Sequence, residues 1–130
     1  MKIIDGTNAV MGRLASYAAK EALRGEEIVI VNSEKVIITG SRKNIEENWY
    51  NKRQRVGSGM KGPKHSRDYD RIVKRAIRGM LPDHRSGRGK ESLKRIKCYV
   101  GVPKEFEDKK KIGAGKGTQS KFIRVGELRK

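Results

Sequence analysis

Four cations stand at helical spacing in the middle of this chain: Arg71, Lys74, Arg75 and Arg78. Side chains three and four apart share a helix face, so the spacing makes one positive stripe. Asp68 and Asp70 lie close enough in sequence to pair with part of it. Two acids cannot neutralise four bases, and the loops on either side are also basic. A solvated helix face is the bland reading. Phosphate binding is the favoured one, with arginine forking onto phosphate oxygens and lysine acting as a point charge. Such contacts position a protein on a nucleic-acid backbone without reading its bases.

Other motifs promise less. Gly57-Ser58-Gly59-Met60-Lys61-Gly62 matches G-x-G-x-x-G. A dinucleotide fingerprint must follow a strand and open a helix, so that pyrophosphate meets a helix N-terminus. This one follows a predicted helix and runs through Pro63 into more loop. Gly113-Ala114-Gly115-Lys116-Gly117-Thr118 is similar to a phosphate-binding loop. There, Gly117 separates the lysine from the hydroxyl that would meet magnesium. The expectation is a flexible, RNA-contacting tail.

His65 and His84 lie in basic loops without carboxylates at ligand spacing. His65 either touches RNA or is simply solvated. Cys98, in mid-strand, reads as a buried structural thiol. Trp49 reads as a core anchor for its helix rather than a base-stacking platform. One cysteine and two histidines exclude an internal disulfide framework and a zinc finger built from this chain. No cofactor and no metal are expected.

The whole composition points the same way. The chain has 130 residues, 32 Lys and Arg against 15 Asp and Glu, and a net charge of +17. That length suits one domain with a tail. The excess charge opposes compaction unless an anion neutralises it. It is also unevenly placed. Residues 1–50 carry seven bases and seven acids, residues 51–98 carry sixteen and four, and residues 99–130 carry nine and four. Solubility does not require such concentration. The basic segments lack the Trp and Phe stripe of a membrane-surface helix. The longest apolar run, Ile28 to Val31, is far too short to span a bilayer, and no apolar leader opens the chain. A soluble intracellular protein with a nucleic-acid partner is the expectation.

The elements that must carry these side chains follow from hydrophobic period. Ile3-Ile4 reads as a short strand ending in a turn at 5–8. Met11, Leu14, Tyr17, Ala18 and Ala22 mark a helix over about 11–24, stopped by Gly25. Residues 27–31 are a β-branched run, apolar on both sides, which suggests burial between two layers. Strand, helix and strand make a βαβ unit. Val36-Ile37-Ile38 is a second run, but about four residues are too few for a helical crossover. That pair is therefore antiparallel, or 36–38 lies outside the main sheet.

Ser41 can cap a second helix with Ile45, Trp49 and Val56 on its apolar side. Residues 57–65 read as a flexible basic loop. Ser66 can cap a helix carrying Tyr69, Ile72, Val73, Ala76, Ile77 and Met80 inward, ended by Gly79 and Pro82. A second basic loop, a short helix near 90–95 and a strand at 96–100 follow. Residues 105–121 are charged and Gly-rich and read as an extended tail. Phe122 to Val125 can form one docked element.

One combination is distinctive. Arg78-Gly79-Met80-Leu81-Pro82 precedes Arg85-Ser86-Gly87-Arg88-Gly89-Lys90, then Leu93-Lys94-Arg95-Ile96-Lys97 and Tyr99-Val100-Gly101. With Gly12-Arg13-Leu14-Ala15-Ser16 and Ile30 to Gly40, residues 2–101 resemble the large-subunit ribosomal protein L-thirteen family, in its archaeal form. The resemblance implies a three-layer α/β/α fold around a small, mainly parallel four-stranded sheet, with basic loops and a C-terminal extension. It implies a cytoplasmic, non-catalytic constituent of the ribosome. Its partners would be large-subunit ribosomal RNA and neighbouring ribosomal proteins, with no membrane and no small-molecule substrate.

The expected organisation is a domain over 1–103, with an RNA-facing segment at 51–98, and an extension over 104–130. The candidate RNA-binding residues are Lys52, Arg53, Arg55, Lys61, Lys64, His65, Arg67, Arg71, Lys74, Arg75, Arg78, Arg85, Arg88, Lys90, Lys94, Arg95 and Lys97. The alternatives are a nucleotide-binding enzyme using the glycine loops and a DNA-binding module.

Overall fold

Ile28 to Val31 is buried along its whole length, and everything else is arranged around that strand. The computed structural model describes residues 1–55, 57–118 and 120–128, so Val56 of the expected apolar stripe lies outside the described residues. The chain runs β1 (Lys2–Asp5), α1 (Met11–Leu23), β2 (Ile28–Val31), β3 (Ile37–Thr39), α2 (Arg42–Gln54), α3 (Tyr69–Met80), α4 (Gly87–Lys94), β4 (Ile96–Cys98), β5 (Ile112–Gly113) and β6 (Phe122–Arg124). The main sheet has the order β4-β2-β1-β5, with every pair parallel. Lys2 pairs with Ile28, and Ile28 with Ile96.

Alternation along these strands divides the core. Ile4, Ile28 and Ile30 join Leu14, Ala15, Ala18 and Ala22 of α1 and Val73 and Ile77 of α3. Ile3, Val29 and Val31 face the other way, onto Phe106. Each such side chain contributes about 1.5–3 kcal/mol when fully buried. The fold is thus a three-layer α/β arrangement: helices, sheet, and a second face closed by the segment around Phe106. That last cover is a short 3-10 turn, Lys104–Phe106. Helix α1 has Val10 at its N-cap position and no side-chain cap, so its buried alanine face holds it in place. It ends at Arg24, and Gly25 follows at φ +97°.

The run at 36–38 is settled in favour of the second possibility. β3 leaves the main sheet and pairs antiparallel with β6, Ile38 opposite Ile123. The tail reading for 105–121 is corrected. Ile112 pairs with Ile4 as the edge strand of the main sheet, and Phe106, Ala114, Ile123, Val125 and Leu128 are buried. Four smaller corrections concern ends and loops. Ser66 does not cap α3; Asp68 holds the N-cap position, and the Ser66 hydroxyl accepts from the Asp68 N–H at 3.2 Å. Met80 is largely exposed rather than inward. The fourth helix starts at Gly87, three residues before the expected start, and absorbs part of the second loop. Ser58–Met60 forms a 3-10 turn inside the first loop.

Candidate nucleic-acid interface

Helix α3 is amphipathic by construction. Ile72, Val73 and Ile77 are buried against α1 and the sheet, which turns Arg71, Lys74, Arg75 and Arg78 outward along the opposite side. The loop before it folds back over these cations. One Arg75 guanidinium nitrogen donates to the Lys64 carbonyl at 2.8 Å. The result is a groove of about 270 Å³ lined by Lys64, Ser66, Arg71, Lys74, Arg75, Arg78 and Leu93. Five cations line it and no acid does.

Arg71 and Lys74 also line a neighbouring concavity of about 280 Å³ with Asp70, Lys97, Cys98 and Tyr99. Arg71 pairs with Asp68 at 3.4 Å, but both side chains are exposed, so the pair is weak. Among the described residues, Lys74 and Arg78 have no acid within ion-pair distance.

A second basic cluster surrounds Trp49. Lys52 and Arg53 lie 5.7 and 5.8 Å from its ring centre, and His65 meets its edge at 6.0 Å. Trp49 is half-buried and packs on the core, as an anchor would. His65 is therefore not a solvated loop histidine. Burial, then the charges of Arg75, Lys52, Arg53 and Arg55, push its imidazole below the usual value. Its Nδ1 is buried without a hydrogen-bond partner among the described residues. Arg53 and Arg67 line a third groove, described below.

The remaining candidates are dispersed. Arg95 is half-buried, donates to the Ala22 carbonyl at 3.2 Å, and so ties α4 to the end of α1. Lys94, Arg95 and Lys97 border a small cleft beside Met1 and Phe106. Arg55, Lys61, Arg85, Arg88 and Lys90 are exposed and line none of these grooves. The loop carrying Arg85 is nevertheless pinned. The Asp83 carboxylate accepts from the Arg85 N–H and the Ser86 hydroxyl, each at 3.0 Å.

Both glycine motifs have structural roles. A Cβ on Gly57 would stand 2.4 Å from the Gly62 Cα, so the glycines let the loop close on itself. Gly113 belongs to edge strand β5, and the Gly115 carbonyl accepts from Val10 N–H at 3.0 Å. Lys116 turns to Asp5 at 3.7 Å. The carboxyl end of a parallel sheet is where α/β folds commonly seat ligands. Here Asp5 already accepts from the Thr7 N–H, the Thr7 hydroxyl and Asn32 Nδ2, at 3.0, 2.8 and 3.0 Å. Burial pushes its carboxyl up, and these donors with Lys116 bring it below the usual value.

The expected strand at 96–100 stops at Cys98, which therefore ends β4 rather than lying in mid-strand; it is half-buried, and burial pushes the thiol up to about 12. Among the described residues, no group of three or more His, Cys, Asp or Glu could hold a metal, and no helix is long and apolar enough to cross a membrane. Sequence reasoning overlooked Arg42, Lys43, Tyr50 and Gln54 as lining of the third groove, of about 660 Å³. Their signal was available in the sparse apolar stripe of α2, Ile45 and Trp49, which leaves most of its surface to something else.

Comparison with known proteins converges on one family. A family model described as ribosomal protein L13 matches residues 1–105. The large ribosomal subunit protein uL13 of Methanococcus maripaludis is 46% identical over 131 residues, covering 98% of this chain and 94% of that protein. The protein of the same name from Methanocaldococcus jannaschii is 44% identical over 133 residues, covering 100% and 96%. That from Methanopyrus kandleri is 44% identical over 126 residues, covering 97% and 77%. Identity of this extent reaches past the basic helix and through β5 and β6, so the chain belongs to the ribosomal protein L13 family.

Proposed function

We propose that this chain binds large-subunit ribosomal RNA through its basic middle segment and serves as a scaffold rather than a catalyst. The groove formed by Lys64, Arg71, Lys74, Arg75 and Arg78, with no acid in its lining, carries this reading. Cations around a concavity whose lining holds no acid focus positive potential and attract a polyanion. Phosphates held there are neutralised, so RNA segments that would repel can pack together. Residues 1–103 act as the docking body, and 104–130 as an extension that also completes both sheets. The working place is the ribosome in the cytoplasm, beside other large-subunit proteins, without a cofactor or a small-molecule substrate.

Titration of a large-subunit RNA fragment at several salt concentrations tests this. Replacing Arg71, Lys74 and Arg78 together by alanine lowers affinity and flattens the salt dependence. Each lost phosphate contact removes about 0.7–0.9 of a unit from the log–log slope, so the triple variant loses about two to three units. An unchanged slope sinks the assignment. Equal or tighter binding to a plain DNA duplex would favour the DNA-binding alternative.

A further inference from the structure

Tyr50 is 64% exposed on α2, although an aromatic ring of that size usually finds cover. It does not stand on a convex surface. With Trp49, Arg42, Lys43, Arg53 and Arg67 it lines a concavity of about 660 Å³, within the size range of small-molecule seats. Glu46 and Glu47 also line this groove, and Glu46 is already engaged by Arg42 at 3.2 Å. Among the described residues of the lining, four cations face two carboxylates, a positive balance. Burial and the neighbouring Arg67 charge both push the Arg53 guanidinium down from its ordinary value.

We infer that this groove seats a single unstacked RNA nucleotide, its base on Tyr50 and its phosphate between Arg53 and Arg67. The inference rests on the RNA-binding reading above and extends it from backbone neutralisation to selection of a particular RNA shape. The observations favour a nucleotide over a polypeptide neighbour because an exposed aromatic beside paired guanidiniums offers both things a nucleotide needs. A ring stacks on any base, and arginine forks onto phosphate. The groove is also continuous in sequence with the basic segment, since Arg53 and Arg67 bracket the loop that folds over α3. Trp49 forms the back wall, with Lys52 and Arg53 beside its ring, and is not itself the stacking surface.

The test uses the full chain and two RNA hairpins, one fully paired and one identical except for a single bulged nucleotide. Trp49 is the only tryptophan and reports occupancy by its fluorescence. The bulged hairpin binds at least about fivefold more tightly and shifts Trp49 emission, while the paired one does not. Tyr50→Ala brings the ratio of the two affinities to about one. Tyr50→Phe keeps it, which separates loss of stacking from loss of fold. Arg67→Ala weakens the bulged complex more than the paired one. A ratio near one in the native protein, with Trp49 emission unmoved, would leave the groove to a protein neighbour and overturn the inference. So would a ratio that survives Tyr50→Ala. If neither hairpin binds, the underlying RNA reading fails as well.

Discussion

Glu21 shows how a single side chain in the charge-balanced front of this protein is constrained. It is buried on α1, hydrogen-bonded by Lys2 and paired with Arg24 at 3.0 Å. The Lys2 hydrogen bond holds its carboxyl below the ordinary value of 4.5, against the opposing pull of burial. The ionised form therefore stabilises the fold at neutral pH. That contribution is complete above the unfolded-state value and is lost as pH falls through the lower folded-state value. Glu21→Gln should unfold at lower denaturant than the native protein at pH 7, and the gap should shrink as acidification takes the carboxyl through its lowered folded-state value. A gap that stays constant on acidification would place the cost in packing instead. At this scale the sequence was a fair guide where a residue acts on its immediate neighbours. Ser41 is legible as a cap because the Asn44 N–H it accepts is three residues away. Ser66 misleads because the same chemistry closes a turn two residues short of α3. Glu21 gave no such signal, since Lys2 approaches it from a strand across the βαβ unit.

At the scale of elements, periodicity revealed what is long and local and missed what is short and distant. The face of α3 was readable because Ile72, Val73 and Ile77 repeat at helical spacing, and the cations fill the complementary face. β5 was not, because it is two residues long and pairs with a strand more than one hundred residues earlier. No local window contains that pairing, and its charged, Gly-rich surroundings resemble a tail. α4 began early for a related reason. Gly89 reads as a loop residue, yet it sits in the helix because a neighbour leaves no room for a side chain. A Cβ there would lie 2.3 Å from the carbonyl oxygens of both Pro82 and Asp83. Those carbonyls are backbone held in a pinned turn, so they cannot easily withdraw. Gly89→Ala is expected to destabilise the protein by about 1–3 kcal/mol, the usual cost of overpacking, measured by urea unfolding. Unchanged stability would mean that the loop carrying Arg85 is looser than its Asp83 hydrogen bonds indicate.

For the molecule as a whole, the arrangement of charge sets two opposing responses to salt. The front fifty residues are balanced, and they build β1, α1, β2 and most of the apolar core. The largest share of the excess, sixteen bases against four acids, lies in residues 51–98, across the end of α2, α3, α4 and the loops between them. Its segregation was plain in the sequence, but the convergence of Lys64 on Arg75 and Arg78 was not, because a loop of no fixed period brings it about. Cations gathered without acids repel one another in the free protein, and that repulsion is part of the cost of staying folded. Salt screens it over a Debye length of about 8–10 Å near physiological strength. The free protein should therefore gain stability as sodium chloride rises from about 0.05 to 0.5 M, while its affinity for RNA falls over the same range. RNA should stabilise it most at low salt, since a ligand bound only by the folded state adds stability that grows with the ratio of its concentration to Kd. Thermal unfolding across a salt series, with and without an RNA fragment, measures both trends. The two curves of melting temperature should converge as salt increases. If the free protein instead loses stability on screening, its cations are held chiefly by internal acids, and the groove on α3 is not the uncompensated surface described here.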